Sequence, residues 1–448
     1  MKRSILGSIT LAGALLAMVW SGALPEAFAG LFQQRSVGGV AINAEGVVEA
    51  PTVQDQRDLE NLRQALPMNV PAPLEEFTEL RAVSLKQLEA ALAQCAKELQ
   101  PVPEELKYLA GLQRVRYIFV YPERQDIVLA GPAEGWKMDA LGNIVGLTTN
   151  RPVLMLDDLM TALRTGASSR VDPITCSIDP TAEGLQRYQA LMGRLRTIGN
   201  PDQTMAQMEE ALGPQTVSVT GVPNDSHFAR TMVAADFRMK RLAMNIEKSP
   251  VEGMPSFLEM MRSTRRSMAN AMPRWWLAPN YDPIAKTADG LAWELRGPGV
   301  KCMTAEAFLN EAGQQEETQA GNPVAQKWAD TMTERFEELS ERDSSFGQLR
   351  NVMDLAVVAA LIEKERLFDV ATLQTPRLMV EQALDHYPVP KQTASIASAV
   401  KVGREWLVST SGGVEMLPWH IASETETVDA VGDVRAKLTR DVQEFWWE

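Results

Sequence analysis

Residues 216–246, TVSVTGVPNDSHFARTMVAADFRMKRLAMNI, combine a strand, a turn and a long helix. The β-branched residues at the start run into turn residues at 221–225, a pattern typical of a buried strand. Asp225 or Ser226 can cap the following helix, because its side-chain oxygen accepts a hydrogen bond from a free first-turn amide. We therefore expect the helix to be central to the core. Its apolar face repeats at steps of three and four residues: Phe228, Met232, Ala235, Met239, Leu242 and Ile246.

The other side of this helix is basic. Arg230, Arg238 and Arg241 lie off the apolar stripe, and the run RMKR occupies 238–241. One interpretation is a solvated face, the usual role of charge on a helix. The other is a binding site for an anion or a partner. The second interpretation matters because a basic patch stands out on an acidic chain.

The length, charge and hydrophobicity of the chain limit the kinds of function that it can have. The chain has 448 residues, 45% of them hydrophobic, and at about 150 residues per domain it has room for two or three domains. Its formal net charge is -14 and its pI is about 5.0. Such a chain repels nucleic-acid phosphate, so we expect no nucleic-acid binding. Beyond the N-terminus we find no segment apolar and long enough to span a bilayer, so we expect no transmembrane span in the mature chain.

The N-terminus predicts export. Lys2 and Arg3 form a positive segment, residues 5–20 are apolar or small, and 27–29 read Ala-Phe-Ala, a cleavage pattern. We expect cleavage between Ala29 and Gly30 and a periplasmic or extracellular mature protein. The alternative is an uncleaved membrane anchor.

The three cysteines are Cys95, Cys176 and Cys302, and an odd count leaves at least one of them unpaired. Cys176 and Cys302 both lie in strand-like runs, and the sequence leaves open whether they pair or remain buried thiols.

Strand and helix signals are mixed along the chain. VRYIFVY at 115–121 and DIVLA at 126–130 predict a β-hairpin closed by PERQ. Without a regular alternation of strands and helices, the pattern indicates an α+β fold with a mixed or antiparallel sheet, packed helices and a helical hairpin. The expected divisions are a signal peptide (1–29), an N-terminal hairpin and linker (30–76), a central α+β domain (77–311), the helical hairpin (322–366) and a C-terminal β-hairpin and tail helix packed on the central domain (367–448).

Common catalytic and metal-binding motifs are missing from the sequence: we find no G-x-S-x-G, P-loop, H-E-x-x-H or C-x-x-C. We therefore expect no metal and no cofactor. Asp157 and Asp158 are adjacent, so on a helix they do not face each other and fit helix-start charges. Asp225 beside His227 is a candidate hydrogen-bonded pair for an unrecognised hydrolase, although a helix cap explains Asp225 more simply.

Trp275 and Trp276 lie in a strand-like run. Because neighbours in a strand point to opposite faces, we expect one in the core and one outside. The alternative interpretation is a stacking platform for sugars.

Several runs together resemble a family of exported bacterial proteins known only as a domain of unknown function. They are RYIFVYPERQDIVLAGPAEGW (116–136), CSIDPTAEGLQRYQ (176–189), HFARTMVAADFRMKRLAMNIE (227–247) and VSTSGGVEM (408–416). The resemblance implies one exported architecture over residues 37–416. It implies no activity, cofactor or catalytic residue, and it argues against a known hydrolase family.

These observations lead to three hypotheses. The first is a non-catalytic envelope protein that binds a partner, an envelope protein or glycan, or helps to organise the cell surface. The second is a module that binds an anionic glycan or peptide through Trp275, Trp276 and the basic helix face of Arg230, Arg238 and Arg241. The third is a hydrolase with its site near Asp225 and His227. The sequence does not indicate an oligomeric state.

Overall fold

The computed structural model describes residues 39–65, 68–194, 200–262, 271–309, 315–318, 323–381, 384–395, 401–402, 405–406 and 411–438. The signal peptide predicted at 1–29 lies outside the described residues. The helices are α1 (Val53–Ala65), α2 (Leu85–Glu98), α3 (Glu104–Lys107), α4 (Leu156–Thr165), α5 (Ala182–Arg194), α6 (Pro201–Leu212), α7 (His227–Ala243), α8 (Phe257–Arg262), α9 (Pro323–Glu334), α10 (Phe336–Arg342), α11 (Ser344–Lys364), α12 (Leu367–Ala371), α13 (Pro418–Ser423) and α14 (Ala430–Lys437).

The strands form two large sheets and two small hairpins. In chain order they are β1 (Ala41–Ile42), β2 (Val47–Glu49), β3 (Thr78–Ser84), β4 (Tyr117–Tyr121), β5 (Asp126–Ala133), β6 (Trp136–Met138), β7 (Ile144–Gly146), β8 (Ile174–Pro180), β9 (Gln215–Thr220), β10 (Ala271–Asn280), β11 (Ile284–Lys286), β12 (Ala292–Glu294), β13 (Gly299–Leu309), β14 (Gln315–Thr318), β15 (Gln392–Thr393), β16 (Lys401–Val402), β17 (Glu405–Trp406), β18 (Ser411–Met416) and β19 (Thr425–Thr427).

Both large sheets are mixed, and the predicted α+β class is confirmed. The nine-stranded sheet has the order β1-β2-β15-β9-β8-β18-β10-β13-β14, with parallel pairs at β2–β15 and β18–β10. The six-stranded sheet has the order β19-β11-β12-β4-β5-β3, with one parallel pair at its β19 edge. The predicted β4–β5 hairpin is present in antiparallel register, Tyr117 opposite Ala130 and Tyr121 opposite Asp126.

Helix α7 packs against β8 and β18 of the nine-stranded sheet on one side and against α11 and α4 on the other. It is therefore buried almost all round, and within it only Arg238 and Arg241 are not classed as buried. The helix begins where predicted because Ser226 caps it, accepting a hydrogen bond from the amide of Ala229 at 3.1 Å. The expectation that this helix is central to the core is confirmed.

Helix α11 is the second central helix, and its residues from Ser345 to Ile362 are buried. The predicted helical hairpin is present, with its first arm divided at Arg335 into α9 and α10. The prediction that no segment beyond the N-terminus is apolar and long enough to span a bilayer is wrong: among the described helices, α11 is long and apolar enough, but it is enclosed by protein, as core helices of the same composition are. Because α11 contacts α4, α7, α10 and α13, the hairpin is built into the core and is not an appendage.

The C-terminal region supplies inner strands of the nine-stranded sheet, since β15 lies between β2 and β9 and β18 between β8 and β10. Strands from different parts of the chain therefore alternate in one sheet, and the division into domains at 77–311 and 367–448 remains a prediction.

Two glycines allow β18 to lie close to its neighbouring strands. A Cβ on Gly412 would lie 1.8 Å from the Trp275 carbonyl oxygen, and a Cβ on Gly413 would lie 2.0 Å from the Cys176 carbonyl oxygen.

Two local sequence patterns give wrong predictions: Asp179-Pro180 predicts the start of a helix, and the polar stretch 313–321 predicts a loop. Asp179 and Pro180 extend strand β8, where Pro180 lies opposite Gln215, and helix α5 starts only at Ala182. The polar stretch 313–321 contains strand β14, because pairing with β13 overrides its loop-like composition. The predicted tail helix at 433–447 is seen as α14, and residues from 439 onward lie outside the described chain.

A disulfide between Cys176 and Cys302 is excluded, and all three cysteines are free. Cys176 lies on β8 and Cys302 on β13, in one row with Val414 and Leu277 between them. Three strand spacings amount to about 14 Å, whereas a disulfide needs Cα atoms within about 7 Å.

The buried position of α11 gives a stability prediction. Leu355→Ala leaves a cavity in the core and should lower the free energy of unfolding by about 2–5 kcal/mol. Leu99→Ala, at a site 91% exposed, should change it by less than about 0.5 kcal/mol. Chemical denaturation measures both, and equal effects would contradict the assigned core.

Candidate functional site

The start of α7 carries a buried histidine–carboxylate pair. His227 is only 4% exposed, and its Nδ1 lies 2.8 Å from Asp158 Oδ2 on α4. The Tyr387 ring lies edge-on to the imidazole, with ring centroids 5.5 Å apart. The pair therefore joins α4, α7 and the irregular segment that contains Tyr387.

The local sequence places these groups. The Ser226 cap makes His227 the first residue of α7, and α4 begins at Leu156, so Asp157 and Asp158 lie in its first turn. A positive histidine is unfavourable at a helix N-terminus because of the helix dipole. The Asp158 carboxylate compensates this cost.

Several pKa values in this cluster are shifted. Burial lowers the pKa of His227, but the charge of Asp158, its hydrogen bond and the charge of Asp157 together raise it above the ordinary value. Burial raises the pKa of Asp157 despite a hydrogen bond from the Leu384 amide. In the described chain, Asp157 Oδ2 and Asp158 Oδ1 are buried without a hydrogen-bond partner. The arrangement can hold and release a proton.

The predicted pairing of Asp225 with His227 is wrong. Asp225 lies before the helix cap, and its carboxylate is 3.4 Å from Nδ1 of His386 at the surface. Among described residues, the hydrogen-bond partner recorded for the His227 ring is Asp158, not a hydroxyl or thiol. The structure thus provides a base and a carboxylate without a nucleophile bonded to the base, so the hydrolase hypothesis lacks the geometry it requires.

The basic face of α7 is neither a solvated face nor an open anion site. Arg238 Nε donates to Asp343 at 2.8 Å, and Arg238 and Arg241 both pair with Glu247. Arg230 is 1% exposed, and its guanidinium carbon lies 5.6 Å from the centre of the Tyr387 ring. Burial lowers the pKa of Arg230 to about 10. Its position in the core leaves it unable to reach an external ligand.

A second buried pair on α7 was not anticipated. Lys240 Nζ donates to Asp236 Oδ2 at 2.9 Å and to the Ile178 carbonyl of β8 at 2.7 Å. Burial raises the pKa of Asp236 to about 6, with Lys240 acting in the opposite direction. The spacing of four residues was a visible signal of the pair, but periodicity placed Lys240 on the outer face.

The tryptophans alternate as predicted. Trp275 is fully buried in an aromatic cluster with Phe257 and Trp328, at ring separations of 4.9 and 4.8 Å, and its Nε1 donates to the Ala325 carbonyl at 3.3 Å. Trp276 is part exposed on the opposite face. Trp275 therefore has no free face for stacking on a sugar, whereas Trp276 remains a candidate.

An open groove was missed by the sequence analysis. We name it the α1–β6 groove; its volume is about 630 Å³, and it lies between α1, residues 68–75 and the β6–β7 hairpin. No motif marks it, because its walls come from separate parts of the chain. Its lining residues are Glu60, Arg63, Met68, Asn69, Val70, Glu75, Trp136, Lys137, Met138 and Leu147.

Metal binding has no support among the described residues, which contain no cluster of three or more histidines, cysteines or carboxylates suited to an ion.

Comparison with known proteins gives one family match. A family model described as "Protein of unknown function (DUF1598)" matches residues 176–257, from β8 to the start of α8, and includes the whole of α7. No curated protein and no solved structure matches the chain. The resemblance to a domain of unknown function is therefore confirmed over this range. Export and a bacterial source remain predictions.

The ion pairs of α7 give a prediction that separates a structural role from ligand binding. Arg238→Met leaves the buried carboxylate of Asp343 without its cationic partner and should lower the free energy of unfolding by about 1–3 kcal/mol. The matched change Arg342→Met removes a surface arginine paired with Glu338 and should cost less than about 1 kcal/mol.

Chemical denaturation measures both variants, and titration with a sulfated glycan measures anion binding. A loss of glycan binding in Arg238→Met without a loss of stability would restore the anion-site hypothesis.

Proposed function

We propose that the protein is exported to the cell envelope and, without catalysing a reaction, binds a short segment of a partner protein in the α1–β6 groove. The observation that carries this proposal is the groove itself, which is open and combines an apolar floor with a rim of mixed charge. Its volume falls within the range of about 300–1,000 Å³ common for ligand sites.

The floor suits apolar side chains. Met68, Val70 and Met138 are half-buried against the main core, and Leu147 lies beside them. Methionine side chains adapt to ligands of different shape, and they are frequent at surfaces that bind several peptides. Trp136 is buried at the base, with its Nε1 3.4 Å from Glu104 Oε2.

The rim favours a peptide over a polyanion. Glu60 and Arg63 lie on α1, while Glu75 and Lys137 lie across the groove, so the four charges sum to zero. A neutral rim with both signs suits backbone amides and side chains of mixed charge. A nucleic acid or a sulfated glycan would meet two carboxylates there.

The lining also favours binding over covalent chemistry. None of the described residues that line the groove is a serine, threonine, cysteine or histidine. These residues offer contact surface and charge but no activated nucleophile.

Export rests on the N-terminal pattern of Lys2, Arg3, the apolar stretch 5–20 and Ala-Phe-Ala at 27–29. When the full chain is expressed in a bacterial host, mass spectrometry of the envelope fraction should find a mature N-terminus at Gly30. Ala29→Arg should block cleavage. Full-length protein confined to the cytoplasm would contradict the proposal of export.

Selection of random displayed peptides on the folded, purified protein tests the groove. Met138→Arg introduces a charge into the floor and should weaken binding of selected peptides by at least about tenfold, or about 1.4 kcal/mol. Leu99→Arg adds the same charge at a distant exposed site and should leave binding unchanged.

Binding affinities are measured by calorimetry, with circular dichroism confirming that both variants fold. Failure to select any peptide, or equal binding by wild type and Met138→Arg, would overturn the groove as a peptide site.

A further inference from the structure

Residues 384–387, Leu-Asp-His-Tyr, cross the starts of two buried helices, and we name them the latch segment. The Leu384 amide donates to Asp157 Oδ1 on α4 at 3.1 Å. The Tyr387 amide donates to the Asp225 carbonyl just before α7 at 2.9 Å. The Tyr387 ring then covers His227 and Arg230, at 5.5 Å and 5.6 Å. The latch segment is thus the outer wall of the histidine cluster.

Two of the three histidines of the chain lie at the latch segment, His227 beneath it and His386 within it. His227 pairs with Asp158 in the interior, and His386 lies 3.4 Å from Asp225 at the surface. In each pair, the attraction between a positive histidine and a negative aspartate exists only while the histidine is protonated.

Asp157, Asp158 and Arg230 act directly on His227, and further titratable groups lie on the elements that form its cluster. They come from α4, from α7 and its cap, and from the chain between 381 and 387. The groups are Asp157, Asp158, Arg164, Asp225, Arg230, Glu381, Asp385, His386 and Tyr387.

We propose that the latch segment is a pH-sensitive closure over the start of α7, held in mildly acidic solution and loosened as the pH rises above neutral. The proposal is independent of the α1–β6 groove.

The charge balance gives the direction. With His227 protonated, its positive charge faces the carboxylates Asp157 and Asp158. Loss of the His227 proton removes this positive charge from beside the two carboxylates and leaves Arg164 beside Asp157, while Asp385 on the latch segment is a further negative charge near Asp157. Asp385 is then repelled from α4, and this repulsion weakens the hold on its neighbour Leu384.

The raised pKa of His227 also favours closure in acid and loosening at higher pH. Because the pKa of His227 is raised in the fold, its stabilising contribution is present below the ordinary histidine value and is lost as the pH rises through the folded value. Burial also raises the pKa of Asp157, and its ionisation adds a negative charge near Asp385, whereas the hydrogen bond from the Leu384 amide favours the ionised form. The direction of the proposed closure therefore follows the titration of His227.

Two amides a few residues before the latch segment serve as a control for the pH response. The amides of Arg377 and Leu378 donate to the carboxylate of Glu89 at distances of 2.8 to 3.0 Å, and no described histidine bonds to this carboxylate. These amides should therefore not respond to titration of His227.

Hydrogen exchange on the full chain tests the proposal between about pH 5.5 and about pH 8.5. After correction for the intrinsic exchange rate, the Leu384 and Tyr387 amides should lose protection by about tenfold, the factor that corresponds to one pKa unit. The Arg377 and Leu378 amides should keep theirs. In His227→Gln, which retains a hydrogen-bond donor without a titrating charge, the pH dependence of the latch segment should disappear.

A second measurement covers the case in which His227→Gln does not fold. The histidine ring resonances of the wild type, assigned with His386→Gln and His420→Gln, give the titration midpoint of His227 directly. That midpoint should coincide with the loss of protection at Leu384. Unchanged protection across the range, an equal loss at all four amides or a midpoint that follows His386 would each overturn the proposal.

Discussion

The architecture depends on burying a charged helix. Helix α7 lies between the nine-stranded sheet and α11, yet it carries His227, Arg230, Asp236 and Lys240 among its buried residues. An unmatched charge in such a place costs several kcal/mol, so surrounding elements must supply partners. Asp158 of α4 and the Ile178 carbonyl of β8 do so, and these bonds fix the position of α7 against its neighbours. The constraint explains why the charge-rich stretch of the sequence lies in the interior.

The need to pair buried charges also explains why the arginines of α7 do not form an open binding surface. The arginines that made α7 a candidate binding surface are engaged by Asp343 and Glu247 or are covered by Tyr387. The α1–β6 groove, where we propose that a partner segment binds, is lined by residues outside α7. Loops and arms carried by a rigid scaffold are where binding residues commonly concentrate. The matched family range covers the scaffold helix and not the groove.

Local features were predictable from the sequence because their causes are local. Periodicity located α7, turn residues located the β4–β5 hairpin, and Ser226 was one of two candidates for the cap. Long-range features were not predictable. The partner of His227 lies 69 residues away, and that of Arg238 lies 105 residues away. Whether Cys176 and Cys302 pair was left open by the sequence for the same reason, since only the strand order reveals the two strands between them. The groove escaped detection because its walls come from distant segments.

Native-state hydrogen exchange along α7 tests the central claim most directly. If this helix holds the sheet and α11 together, the amides from Met232 to Asp236 should exchange only through global unfolding, with an exchange free energy equal to the unfolding free energy from denaturation. Their denaturant dependence should then match the equilibrium m-value. Exchange of these amides at a distinctly lower free energy than those of the β4–β5 hairpin would contradict the account, because α7 would then open while the rest of the fold remained intact.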